Sequence, residues 1–272
     1  MEIFQAAILG IIQGATEFLP ISSSGHLIIV PAALKWQSFT NNLTFDVALH
    51  IGTALAVAFF FWNDWVRIGR AFLINFPNTK KILADFDSKF FVMLAIGSLP
   101  AAAVGVVFED LIVVKLRDPR VVSITLIVFA LILFWAEKVG ARNRSLADLN
   151  FKDSIIVGIA QAISLVPGVS RSGVTITAGL FSGIERESAA RFSFMLATPI
   201  IFGAGALRVK DAIEVGFKDL GAGVFLAGVI TSGIVGWFAI KSLLRYVLTS
   251  DYTIFVWYRL AVGVIALLMF FR

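Results

Sequence analysis

The sequence predicts an all-α integral membrane protein with six transmembrane helices and two re-entrant helix-turn-helix segments in an inverted-topology repeat. Three observations lead there. The hydrophobic fraction is 58% and the charged fraction 15%, where ordinary soluble domains carry roughly 25% charged residues. Six stretches reach the length of a spanning helix, about 20 mostly apolar residues. Two more apolar stretches break at a proline and a run of serines. A 272-residue chain this poor in charge cannot clothe itself in water-compatible side chains. A soluble globular domain, a disordered protein and a nucleic-acid-binding domain are excluded on that ground. The net charge of +5 belongs to membrane-flanking loops. Cysteine is absent, so disulfides, a thiolate nucleophile and a cysteine-ligated metal are excluded. The opening MEIFQAAILG has no basic region and is not expected to be a cleaved leader.

In chain order, residues 3–19 are apolar and end at Pro20 and three serines, after which 27–34 resume. Spans are expected at 45–62, which carries His50, at 90–108 and at 119–136, with loops at 63–89 and 137–153. The second broken segment runs 154–166, stops at Pro167-Gly168 and serines, and resumes at 174–184. The last spans are 188–207, 221–243 and 252–271, the final one interrupted by Arg259. Broken segments leave backbone groups free, so they are buried in protein or line a cavity rather than face lipid. A shift of 148 residues aligns the two without a gap: Gly10 with Gly158, Gln13 with Gln161, Ser22 with Ser170, Ser24 with Ser172, Gly25 with Gly173. Three spans follow each, an odd number, so halves 1–137 and 149–272 of a single polytopic domain insert with opposite orientation.

Loop charge sets the expected orientation. Thirteen lysines and arginines fall on one side, among them Arg67, Lys80, Arg142, Arg144, Arg186 and Arg245. Six fall on the other: Lys115, Arg117, Arg120, Arg208, Lys210 and Lys218. The positive-inside rule then puts both termini outside. Trp62, Trp65, Trp135, Trp257 and Tyr258 lie near span ends, as an interfacial belt requires.

The chemistry-bearing residues gather at the two breaks. Gln13 and Glu17 share a helix face, being four apart. Ser22, Ser23, Ser24 and Gly25 form a small turn, and His26 opens the next helix. In the second break, Ser170, Arg171 and Ser172 precede a helix that begins over Gly173 to Thr175. Both turns therefore sit at helix N-termini, where amides and the dipole favour an anion. Arg171 adds a guanidinium fork suited to phosphate oxygens. Brought together, the turns make a phosphate-seeking pocket at membrane depth. Plainer readings stand beside this one: serines as helix caps, and Glu17 with Arg171 as a structural ion pair, since each is costly in a membrane without a partner. Asp46 and His50 read as a helix-face pair lining the cavity, and Glu109, Asp110, Glu185 and Glu187 as solvated loop residues.

The stretches QGATEFLPISSSGH and PGVSRSGVT closely resemble the two signature motifs of the undecaprenyl-diphosphatase family, the bacitracin-resistance type of lipid-carrier phosphatase. The likeness extends over nearly the whole chain, including FSFMLATP at 192–199. It implies hydrolysis of undecaprenyl diphosphate to the monophosphate and inorganic phosphate, recycling the carrier for peptidoglycan synthesis, in the cell membrane and at its outer face. It also implies catalytic roles for Glu17, Ser23, His26 and Arg171. Substrate contacts are expected from Gln13, Ser22, Ser24, Gly25, Ser170, Ser172, Gly173 and Thr175. A divalent cation, Mg²⁺ or Ca²⁺, is expected on Glu17 and Gln13, although the family's first motif admits Glu or Gln there and Gln13 is the weaker ligand. The nucleophile is either Ser23 or an activated water. The competing function is a transporter or flippase for a prenyl phosphate lipid, since broken midplane helices are a transporter trait. Expected partners are the prenyl diphosphate and membrane lipids; a homodimer stays open.

Overall fold

A computed structural model of the chain describes the backbone of residues 1–108, 116–215 and 220–271, and the side chains of these except 204–215. Glu109, Asp110, Lys115 and Lys218, and the side chains of Arg208 and Lys210, lie outside the described residues.

Twelve α-helices are found among the described residues. The first break separates α1 (Glu2–Phe18) from α2 (Ser23–Leu34); α3 (Leu43–Phe60) follows. Residues 63–89, expected as a loop, instead contain α4 (Trp62–Asn75) and α5 (Thr79–Ala84). The cause is a half-hidden apolar stripe: Ile68 is fully buried and Phe72 stacks on Phe91 at 4.6 Å, while Val66, Leu73 and Ile74 remain exposed. Its basic residues masked that stripe. Then come α6 (Phe86–Val107) and α7 (Pro119–Val139). The second break divides α8 (Phe151–Ile163) from α9 (Arg171–Phe181), and α10 (Arg186–Val215), α11 (Ala222–Tyr246) and α12 (Thr253–Phe270) complete the chain. Five helices, α3, α6, α7, α11 and α12, are long and apolar enough to cross a membrane, so the protein is multi-pass.

Local chemistry sets the boundaries. Asp118 accepts from the amide of Arg120 and Pro119 occupies the first helical position of α7. Asn150 and Asp153 make a reciprocal capping box at α8. The two break turns are built alike. Ser22 (φ 75°) accepts from the amide of Gly25, and Ser170 (φ 72°) from that of Gly173.

Packing crosses the chain. α1 lies chiefly on α11, and α8 chiefly on α6. Both contacts run over small residues, as close helix approach in lipid requires. A Cβ at Gly14 would sit 2.6 Å from the Ser232 carbonyl, and one at Gly158 would collide with the Gly97 carbonyl. The main apolar core holds Phe18, Phe61, Phe192, Phe194 and Tyr252. Outside it, at the α7–α8 connection, buried Glu137 accepts from Arg142 and Arg186, and Arg144 pairs with Asp153 while donating to the Ser182 carbonyl. These contacts lash the connection to the ends of α9 and α10.

Candidate active site

The two break turns meet. Ser172 Oγ donates to the Leu19 carbonyl and the Gly168 amide to Ser24 Oγ, so each hairpin rests on the other. Behind them stands Arg259 of α12, wholly buried. It donates to the carbonyls of Gly168 and Val169 at 3.1 and 2.9 Å, and at longer range to Leu126 and Pro20. One guanidinium therefore ties both turns and α7 together. Gly168 presents its carbonyl from a left-handed conformation (φ 89°) that favours glycine.

In front of the turns lies a cavity of about 290 Å³. Glu17, Ser23 and Ser24 come from the first hairpin; Gln161, Ser164, Ser170 and Arg171 come from the second; His50 and Val47 come from α3. Ala101, Leu165, Ile200 and Ile201 form an apolar wall. Ligand pockets run roughly 300–1,000 Å³, so the space suits a head group and not a long hydrocarbon chain.

Glu17 is the hub. Its Oε1 pairs with Arg171. Its Oε2 accepts from Ser23 Oγ at 2.5 Å and from Gln13 Nε2 at 3.0 Å, and His50 Nε2 lies 3.6 Å away. Gln13 Nε2 also reaches Thr53 Oγ1 at 3.4 Å. The structural ion pair weighed against a functional one is thus present in this structure, and it joins the two hairpins. A phosphoryl group carries the same acceptor oxygens as the carboxylate and can replace it on the guanidinium.

Not every expected residue lines this cavity. His26 points away from Glu17: Nδ1 donates to the Ser22 carbonyl at 2.7 Å, which leaves Nε2 to accept from Tyr258 Oη at 2.8 Å. Both ring nitrogens are engaged in holding the turn to α12, so His26 is not placed to assist Glu17. Tyr258, read as a belt residue, is part of that hold. Ser22 caps its helix and Ser172 serves Leu19; Ser170 caps its helix while also lining the cavity. Thr175, buried, is taken up by the Arg171 carbonyl and Ser193. Gly25 and Gly173 pack under the turns, and their amides are already used by the caps. The amides left without an intrahelical partner are those of the first two helical positions, Ser23 and Ser24, Arg171 and Ser172. Asp46 pairs with Arg117 at 2.6 Å and accepts from His50 Nδ1 through its carbonyl, so it orients His50 rather than lining the cavity.

Residues whose part in the site sequence reasoning missed are Arg259, Tyr258, Thr53 and Gln161. The signal for Arg259 was present: an arginine inside an apolar span needs partners.

The donors for a divalent cation are sparse. Among the described residues no three His, Asp or Glu cluster for a metal. Glu17 supplies one carboxylate and Gln13 a buried Oε1 with no partner among the described residues. Both are oxygen donors of the kind a hard cation such as Mg²⁺ takes; Gln13, wholly buried, turns Nε2 toward Glu17 and is not among the residues that line the cavity.

Residues 6–265 match the family model described as bacitracin resistance protein BacA. An undecaprenyl-diphosphatase of Thermodesulfovibrio yellowstonii is 42% identical over 270 residues, covering 99% of this chain and 98% of that one. One of Moorella thermoacetica is 43% identical over 270 residues with the same coverage. One of Thermomicrobium roseum is 44% identical over 276 residues, again 99% and 98%.

Proposed function

Because the chain belongs to the bacitracin resistance protein BacA family, we infer that it is an undecaprenyl-diphosphatase. It hydrolyses undecaprenyl diphosphate at the phosphoanhydride, releasing inorganic phosphate and leaving the monophosphate carrier. That returns carrier to cell-wall synthesis and accounts for bacitracin resistance. The observation that carries the reading is the meeting of Ser23, Glu17 and Arg171, from two hairpins, at one cavity.

In the mechanism we favour, Ser23 Oγ attacks the terminal phosphorus and its proton passes to Glu17 Oε2, already at 2.5 Å. The P–O bond to the bridging oxygen breaks, and its electron pair leaves with the undecaprenyl monophosphate. Arg171 moves from Glu17 to the phosphoryl oxygens, with the amides of Ser23, Ser24 and Ser172. Glu17 hands the serine proton to the departing monophosphate. Water then attacks the phosphoserine, giving a proton to Glu17 that returns to Ser23 Oγ as the serine–phosphorus bond breaks and inorganic phosphate leaves. His50, through Nε2, steadies Glu17 as its charge changes; His26 keeps the serine turn in place. A divalent cation, Mg²⁺ or Ca²⁺, would be held by Glu17 and Gln13 Oε1 and would neutralise diphosphate charge.

The finer topology is part of the proposal. The α1–α2 and α8–α9 pairs are re-entrant hairpins, α10 is the sixth span, and halves 1–137 and 149–272 are inverted copies. The matching cap geometry of Ser22 and Ser170 supports this. The loop charge count supports a cavity open to the outer face of the cell membrane.

The test is phosphate release from undecaprenyl diphosphate by purified protein in detergent, where no two sides exist and a flippase has no task. Acid quench of single-turnover reactions should trap phosphate on Ser23. Full activity in Ser23→Ala would transfer the attack to water; no phosphate release by the wild type would remove the phosphatase reading.

A further inference from the structure

Gln161 is the one buried amide at this cavity whose side chain has no hydrogen bond at either end among the described residues. It is 1% exposed, yet it lines the cavity beside Ser170 and Arg171. Neither Nε2 nor Oε1 has a partner among the described residues. Its own backbone carbonyl is occupied by Ser164 Oγ at 2.5 Å, so the last turn of α8 is already satisfied. Gln13, its counterpart at the 148-residue shift, spends Nε2 on Glu17 and Thr53. One amide of the related pair thus anchors the carboxylate, and the other is held in place and left open.

A buried amide with idle donors destabilises a fold. Such a group is kept where a ligand completes it. The ligand must offer acceptor oxygens to Nε2–H, next to a guanidinium that also seeks acceptors. A phosphoryl group meets both demands, and a water bound to it can donate to Oε1. We propose that Gln161 is a substrate-binding residue that donates from Nε2 to diphosphate oxygens alongside Arg171. This rests on the phosphatase reading for its substrate, but not for the anion it binds.

The test uses Gln161→Met and Gln161→Leu, two apolar side chains of similar bulk, in detergent-purified full-length protein. Removing a hydrogen bond to a charged oxygen should lower kcat/KM for undecaprenyl diphosphate about 10- to 100-fold. Tm should hold or rise, because an unsatisfied polar group is removed. Inorganic diphosphate should raise the Tm of the wild type and raise that of the variants less. Wild-type kcat/KM within about twofold together with undiminished diphosphate stabilisation would overturn the proposal. So would misfolding of both variants, or a Tm loss in both beyond about 5 °C, more than a kilocalorie's worth, which would assign the amide to packing. If the wild type releases no phosphate but diphosphate stabilisation still depends on Gln161, the anion site stands and the phosphatase reading falls.

Discussion

Replacing Arg259 should loosen both hairpins at once. In Arg259→Met the carbonyls of Gly168 and Val169 lose their charged donors, and the longer contacts to Leu126 and Pro20 disappear. Hydrogen bonds to charged groups contribute about 1.5–3 kcal/mol each, so the two short ones alone sum to roughly 3–6 kcal/mol. Those values are already net of desolvating the guanidinium, so the lower end of the range applies. A net loss of about 3 kcal/mol is expected, because the stranded carbonyls remain in a dry site. At roughly 2–4 °C per kcal/mol for a chain of this size, apparent Tm should fall by about 6–12 °C. Tryptophan fluorescence in detergent, at a fixed scan rate, reports it. Arg259→Lys should fall between, since an ammonium cannot span carbonyls on two segments as a planar fork does. Phosphate release should drop in both variants, although Arg259 does not line the cavity. An Arg259→Met protein with Tm within about 2 °C of wild type and an unchanged rate would refute the clamp.

Arg171→Ala should slow phosphate release about 100- to 1,000-fold, as loss of an oxyanion donor does elsewhere; a near wild-type rate would mean that the pocket is misassigned. Gly158→Leu should force α8 away from α6 and cost about 1–3 kcal/mol, because its Cβ meets the Gly97 backbone. Gly105→Ala, whose Cβ would meet among the described residues only Leu165 at 3.8 Å, should leave Tm unchanged or slightly raised. Outside the membrane, the Ser88 hydroxyl and amide hold the Asp85 carboxyl below its ordinary range. A carboxyl depressed in the folded state stabilises above its unfolded pKa and loses that contribution as pH falls through its folded value. Ser88→Ala should therefore have a lower Tm than wild type at pH 7, with the gap narrowing below about pH 4; a gap constant with pH would exclude the linkage.

Composition and local pattern reached far in this chain. The helices at 43–60, 86–107, 119–139, 222–246 and 253–270 fall on five of the six expected spans. Pro20 and Pro167-Gly168 mark real breaks, because each interruption is a local backbone event. The α4 helix was missed because its apolar stripe is narrow and interleaved with Arg67 and Arg70. His26 was misplaced for a different reason. It adjoins the serines in sequence, but its ring is claimed by Tyr258, 232 residues away, and it is His50, from a separate helix, that approaches Glu17.

What the residues alone determined is the solvent the protein lives in, the two interruptions, and the supply of one carboxylate, one guanidinium and a run of hydroxyls at them. These follow from composition and from spacing within a turn or two of helix. Which groups face the cavity was decided only in three dimensions. Arg259 reaches back across 239 residues to Pro20, Arg171 finds Glu17 in the other half, and Gln161 is left open where Gln13 is engaged. Inside a bilayer no water can satisfy a polar group, so each must be claimed by whatever the fold brings near. That assignment depends on helices meeting across the whole chain, and no local pattern contains it.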